Sequence, residues 1–213
     1  MCGIVGYAGH RPAVDVVLEG LRRLEYRGYD SAGVAVLANG TLAAEKRAGK
    51  LGNLIAALSD QPAWPGTVGL GHTRWATHGP PNDPNAHPHL DCSGRLAVVH
   101  NGIIENFAAL RRELAGRHHL ASDTDTEVVA HLLEEEMAAQ QDPVTGAVAA
   151  GALAAAMRRV CQRLDGAFTL VAVDARDPGA VVGARRNSPL VIGRGDGENF
   201  LASDVAAFIA YTR

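Results

Sequence analysis

Two runs of strand-forming residues, 31–37 and 41–47, are separated by little more than Asn39-Gly40. Both of these residues tolerate positive φ, which a two-residue hairpin turn requires, so the runs are expected to pair antiparallel. A parallel crossover needs a dozen or more connecting residues and has no room here. Further strands are expected at 4–9, 67–72, 95–100, 167–174, 181–184, 190–192 and 200–202. Helical spacing marks 13–26, the stretch around Leu51, Leu54, Ile55 and Leu58, the stretch 103–114, the run carrying Val129, Leu132 and Leu133, and a stripe of Ala152, Ala156, Val160 and Leu164. Strands gather at both ends of the chain. The expected class is therefore α+β with mainly antiparallel sheets, not a parallel doubly wound sheet. No repeat or linker divides residues 1–213, which are read as one domain.

Composition removes several function classes. Apolar residues make up 47% of the 213 and charged residues 20%, the balance of a packed chain and not of a disordered one. The net charge of −3 comes without a basic stripe, so nucleic acid is not an expected partner. No stretch approaches the roughly 18 apolar residues of a membrane span, and the N-terminus has no basic segment leading into an apolar one, so a cytoplasmic chain is expected. Three cysteines, Cys2, Cys92 and Cys161, are too few and too far apart for a disulfide framework. The histidines at His87-Pro88-His89, and His118-His119 with His131, match no structural zinc spacing or HExxH helix, so no metal is expected. Nor is any cofactor.

Cys2 stands out by position. Its small side chain favours removal of Met1, which would leave one residue holding both a thiol and a free α-amine. Their reference pKa values, about 8.5 and about 7.7 to 8, make proton transfer between them nearly thermoneutral. A nucleophile and its base would then share one residue; the plainer reading is a small hydrophobe at a chain start. The irregular segment 73–88, rich in Gly, Pro, Asn and His, is long for a compact domain and so is expected to be functional. Thr124-Asp125-Thr126-Glu127 has capping-box spacing, which sets Asp125 in the first turn of a helix. Asn101-Gly102 reads either as a turn or as a pair of hydrogen-bond donors.

Six motifs in order, 1–6 (MCGIVG), 26–33 (YRGYDSAG), 71–79 (GHTRWATHG), 85–89 (NAHPH), 98–106 (VVHNGIIEN) and 122–127 (SDTDTE), resemble the glutaminase (glutamine amidotransferase type 2) domain of glutamine:fructose-6-phosphate amidotransferase, or glucosamine-6-phosphate synthase. The resemblance spans the chain and implies an N-terminal-nucleophile hydrolase, a four-layer αββα sandwich. It implies hydrolysis of L-glutamine to glutamate and ammonia through a γ-glutamyl thioester on Cys2, with its own amine as base. Asn101 and Gly102 correspond to the oxyanion hole, and Arg74 and Asp125 to the partners of the glutamine carboxylate and ammonium. Trp75, Thr77 and His78 correspond to a lid over the substrate, and Arg27 to a residue near the nucleophile.

The expected partners are L-glutamine and, in a full-length enzyme, an isomerase domain that aminates fructose 6-phosphate, the whole forming a homodimer. The isomerase part is expected to begin where the sequence stops. Two alternatives stay open: a catalytically silent glutamine-binding sensor, and the glutaminase part of another N-terminal-Cys amidotransferase. Motifs 71–79 and 122–127 point away from the latter.

Overall fold

The computed structural model describes residues 2–212. The expected removal of Met1 therefore lies outside the described residues. Among the described residues, ten strands form two sheets. The first has the order β3 (Thr41–Ala48), β2 (Ser31–Ala38), β4 (Val68–Arg74), β1 (Gly3–Ala8), β10 (Asn199–Ala202) and β9 (Val191–Arg194). The second has the order β5 (His89–Leu90), β6 (Leu96–Ile104), β7 (Gly166–Asp174) and β8 (Val182–Arg186). All pairings within both sheets are antiparallel. Asn39 and Gly40, at φ 53° and 76°, make the β2–β3 turn as their residue types require.

Period-two patterning explains why there are two sheets and four layers. In β2, Ala32, Val34 and Val36 face one core cluster, and Ala35 and Leu37 face another. In β7, Phe168, Leu170 and Ala172 face outward to a third cluster, and Val171 and Val173 inward. Ile4, Leu70, Ala97, Val99 and Val171 meet between the sheets. Helices α1 (Ala13–Arg23) and α2 (Leu51–Ser59) cover the first sheet, and α3 (Phe107–Leu114), α4 (Thr126–Ala138) and α5 (Ala152–Arg163) cover the second. A strand apolar on both faces would lose about 1.5 to 3 kcal/mol for each large side chain left wet, so both faces must be covered. At Gly71, a Cβ would stand 2.4 Å from Val17 Cγ1, so glycine lets α1 lie against β4.

Three expectations needed adjustment. The strand expected at 95–100 continues to Ile104, so Ile103 and Ile104 are sheet and α3 starts only at Phe107. Register with β7 carries Asn101 and Gly102 opposite Thr169 and Phe168, so that pair is no hairpin turn. Helix α1 ends at Arg23, with a 3₁₀ turn over Glu25–Arg27. The two-residue strand β5, held by pairing with Val98 and Ala97, had no periodicity to announce it.

Candidate active site

Sheet register builds the site. Gly3 pairs with Thr73, which sets Cys2 alongside the end of β4 and Arg74. From the facing sheet, the Asn101 amide Nδ2 donates to the Cys2 carbonyl at 3.1 Å, joining the two layers at one end. A pocket of about 330 Å³ opens there, lined among others by Cys2, Arg27, Arg74, Trp75, Thr77 and Asp125. Asn101 and Gly102 line it too. The thiol of Cys2 is therefore on the pocket wall and not sealed away from positions 74 and 125.

Cys2 Sγ accepts the Trp75 backbone N–H at 3.1 Å. Burial pushes the thiol pKa up, while the Trp75 N–H and the nearby Arg74 charge pull it back. Asn101 is gripped at both ends: its Oδ1 lies 2.9 Å from His72 Nε2, while one of its two amide hydrogens serves Cys2. The second amide hydrogen has no partner among the described residues. Gly102 has φ 125°, and a Cβ there would meet the Ala167 carbonyl at 2.1 Å, so only glycine fits the strand at this point.

Arg74 is 3% exposed and its Nη2 donates to the His78 and Gly79 carbonyls. Its Nη1 is buried without a hydrogen-bond partner among the described residues. A buried guanidinium nitrogen without an acceptor costs free energy that a carboxylate would recover. Asp125 precedes α4 as its N-cap residue, one position before the first turn expected for it. Its Oδ2 accepts the Ile104 N–H at 2.9 Å, and its Oδ1 has only longer contacts, 3.5 Å to Thr126 Oγ1 and 3.8 Å to His100 Nδ1. The capping-box carboxylate, Glu127, bypasses Thr124 and takes the N–H groups of Ala121 and Ser122.

The segment after β4 splits. Trp75 is 55% exposed, so it is no core anchor, and its ring lies over Gly28. Thr77 is on the pocket wall. The side chain of His78 is not: its ring packs edge-on against Phe107 at 5.1 Å, and its carbonyl receives Arg74. Arg27 donates to Asp204 Oδ2 at 2.6 Å, to Ser203 Oγ at 3.2 Å and to the Cys2 carbonyl at 3.3 Å.

Along one wall of the pocket, which His87 and His100 line, His72, His87, His89 and His100 form a buried group that sequence reading did not assemble. The His72 and His87 rings stand 4.3 Å apart, and Thr126 Oγ1 bonds both His87 Nε2 and His100 Nδ1, at 2.8 and 2.9 Å. Burial drives the His72 pKa down to about 3 and those of His87, His89 and His100 also downward. An unfolded histidine titrates near 6.5, so between that pH and about 3 the unfolded chain binds a proton that folded His72 refuses. Stability from this group is complete above pH 6.5 and falls as pH drops, by up to about 1.4 kcal/mol per pH unit for each such histidine. Glu127 acts in the same direction at lower pH: burial opposes ionisation, but the neighbouring His131 and hydrogen bonds from Ala121 and Ser122 hold its pKa to about 2. His131 has the opposite sign: burial is outweighed by Glu127 and Glu134, which raise its pKa. One histidine does not offset four. Urea midpoints measured from pH 7 to pH 5 should fall steeply, and a flat profile would contradict a neutral buried group.

A family model described as a glutamine amidotransferase domain matches residues 72–210. The chain belongs to the glutamine amidotransferase family. A glutamine--fructose-6-phosphate aminotransferase (isomerizing) of Streptomyces coelicolor is 69% identical over 214 residues, covering all of this chain and 33% of that protein. The protein of the same name from Mycolicibacterium smegmatis is 57% identical over 220 residues, covering all of this chain and 34% of that protein. Among solved structures, the glutamine phosphoribosylpyrophosphate amidotransferase of B. subtilis is 26% identical with a TM-score of 0.78, covering 99% of this chain and 44% of that one. The αββα layering is thus that of the N-terminal-nucleophile amidotransferases. The chain spans about a third of the length of the curated relatives it matches.

Proposed function

We propose that this amidotransferase domain hydrolyses L-glutamine to glutamate and ammonia at the pocket where Cys2, Arg74, Asn101 and Asp125 meet. The observation that carries the reading is the shared pocket wall: a thiol, a guanidinium group and a carboxylate line one cavity, and one nitrogen of that guanidinium lacks a hydrogen-bond partner among the described residues. With Met1 removed, the Cys2 amine takes the thiol proton as Sγ bonds to the side-chain amide carbon. The carbonyl oxygen becomes an oxyanion, which the second Asn101 amide hydrogen and the Gly102 N–H receive. The protonated amine then supplies a proton to departing ammonia, leaving a γ-glutamyl thioester. Water, activated by the same amine, releases glutamate and restores the thiol.

Arg74 would hold the substrate carboxylate and Asp125 its ammonium, both remote from the scissile amide. Trp75 and Thr77 would close over the bound substrate and exclude water, and Arg27 would fix the Cys2 backbone. Arg74→Lys should raise KM for glutamine about 10- to 100-fold with a smaller change in kcat, because an ammonium cannot reproduce the two-pronged bond. Initial-rate kinetics would show this; an unchanged KM would remove Arg74 from the carboxylate.

In the parent enzyme we propose that residues 1–213 act as one glutaminase domain in the cytoplasm, sending ammonia to an isomerase domain that converts fructose 6-phosphate to glucosamine 6-phosphate, within a homodimer. The names of relatives at 57% to 69% identity support this acceptor over a phosphoribosyl one, whose bearer is 26% identical. The test combines intact mass with a glutamate-release assay. Chain lacking Met1 that releases glutamate, and is alkylated once on its N-terminal peptide by an electrophilic glutamine analogue, supports the reading. Processed chain that binds glutamine without release would make it a sensor instead.

A further inference from the structure

On the far side of the second sheet, three segments distant in sequence bring four metal-binding atoms together. Cys92 lies in the β5–β6 turn, His118 in the α3–α4 connection, and His131 and Glu134 one turn apart on α4. We propose that Cys92, His118, His131 and Glu134 form a closed, four-ligand site for a divalent transition metal ion of the zinc class, which fastens both connections to α4.

The geometry carries the proposal. Cys92 Sγ stands 3.5 Å from His118 Nδ1 and 3.6 Å from His131 Nδ1. Glu134 Oε2 stands 3.0 and 3.1 Å from the same two nitrogens, and all four donor atoms lie within 4.8 Å of one another. Tetrahedral zinc, with bonds of about 2.3 Å to sulfur and about 2.0 to 2.1 Å to nitrogen and oxygen, demands S···N separations of about 3.6 Å and N···O separations of about 3.3 Å. The sulfur–nitrogen spacing is already met, the two oxygen–nitrogen separations need to lengthen by about 0.3 Å, and the two remaining edges, bounded at 4.8 Å, must close to about 3.3 to 3.6 Å around an ion.

The surroundings are those of a ligand shell. The outer ring nitrogen of each histidine faces a carboxylate: His118 Nε2 lies 3.1 Å from Glu135 Oε1, and His131 Nε2 lies 3.9 Å from Glu127 Oε1. The Glu135 partner keeps the proton of His118 on Nε2 and turns its Nδ1 lone pair inward, toward a metal, whereas His131 Nε2 is buried with no partner at hydrogen-bond distance among the described residues. His131 is 1% exposed and its ring is 4.7 Å from that of His118. A hydrogen-bond network alone accounts for this poorly. Glu134 Oε2 would have to take both Nδ1–H groups as well as the Cys92 N–H at 3.1 Å, which crowds three donors onto one oxygen and makes the His118 ring, set against a carboxylate at each nitrogen, cationic. With a dication, both rings stay neutral, the Cys92 thiol releases one proton to solvent, and thiolate plus carboxylate balance the metal charge. A thiolate, two imidazoles and one carboxylate in this shape suit zinc over magnesium or calcium. Four protein ligands leave no open position, so the role is structural. Helix α4 also carries Asp125 and Thr126 of the pocket at its N-terminus, so the ion would stiffen one wall of the site.

The spacing Cys92, His118, His131, Glu134 matches no short zinc motif, which is why a search by spacing expects no metal. The test is titration of chelator-stripped chain with zinc chloride by calorimetry, and with cobalt chloride by absorbance. A parallel series in a Cys2→Ala background removes the pocket thiol. The expected result is one equivalent of metal in both backgrounds and a tetrahedral cobalt spectrum with a thiolate charge-transfer band. A rise in Tm on zinc addition is also expected, and Cys92→Ser and His118→Gln should each weaken binding at least about 100-fold. Both substitutions lie in connections, so circular dichroism of the metal-free variants would check that they fold. The proposal is overturned by no saturable binding, by a cobalt spectrum lacking the thiolate band, or by unchanged affinity in the two folded variants. None of these outcomes depends on glutamine turnover.

Discussion

Cys2→Ala lowers glutamate release by at least about 10³-fold, the scale expected when a nucleophile is removed and only binding and oxyanion stabilisation remain. The substitution deletes one sulfur on the pocket wall and leaves the Cys2 carbonyl, which Asn101 and Arg27 hold, in place. Gly3 and Ile4 stay anchored to Thr73 Oγ1 and Ser203 Oγ, at 3.1 and 3.0 Å. The strand should therefore keep its register, and glutamine affinity should change by no more than about threefold, since truncating a small group remote from the carboxylate and ammonium partners removes little binding energy. Calorimetric binding beside a glutamate-release assay separates the two quantities. Binding lost in step with turnover would mean that Cys2 holds the pocket together and does no chemistry.

The second large effect is expected at Asn101. Asn101→Ala should reduce kcat about 10²- to 10³-fold with KM nearly unchanged, because an oxyanion donor contributes chiefly in the transition state. The same change removes the bond to the Cys2 carbonyl and leaves His72 Nε2 facing nothing, so a stability loss of about 1 to 2 kcal/mol should accompany it. A urea midpoint measured together with initial rates distinguishes the effects. His72→Gln, which still offers an N–H toward Asn101 Oδ1, should keep more activity than His72→Leu. If Asn101→Ala acts mainly on KM, the oxyanion assignment fails and the residue serves substrate binding.

Much of the fold was legible from residue pattern. The Asn39-Gly40 turn, the period-two strands and the helical stripes of α1, α2 and α5 are local consequences of side-chain type, so they can be read one segment at a time. The end of β6 could not be, because Asn-Gly is a turn pair by local preference. Nine register pairs with β7 keep it extended, and tertiary pairing outweighs a preference of a fraction of a kcal/mol. The motifs put Cys2, Arg74, Asn101 and Asp125 forward as candidates, and the four line one pocket. The parts missed were those that depend on meetings across the chain: the His72 grip on Asn101, the buried histidine group, and the removal of the His78 ring to Phe107.

By itself the amino-acid order determined most of the elements and that the sheets are antiparallel, because these follow from near neighbours along the chain, and its motifs put forward the candidate site residues. Tertiary structure alone decided that β1 lies beside β4, that a second sheet faces it, and hence that a thiol at position 2, a guanidinium at 74, an amide at 101 and a carboxylate at 125 share one cavity. Packing two sheets face to face converts separations of dozens of residues into contacts of about 3 Å, and no local rule contains that information. Cys92 and His131, 39 residues apart and 3.6 Å from sulfur to nitrogen, came together the same way.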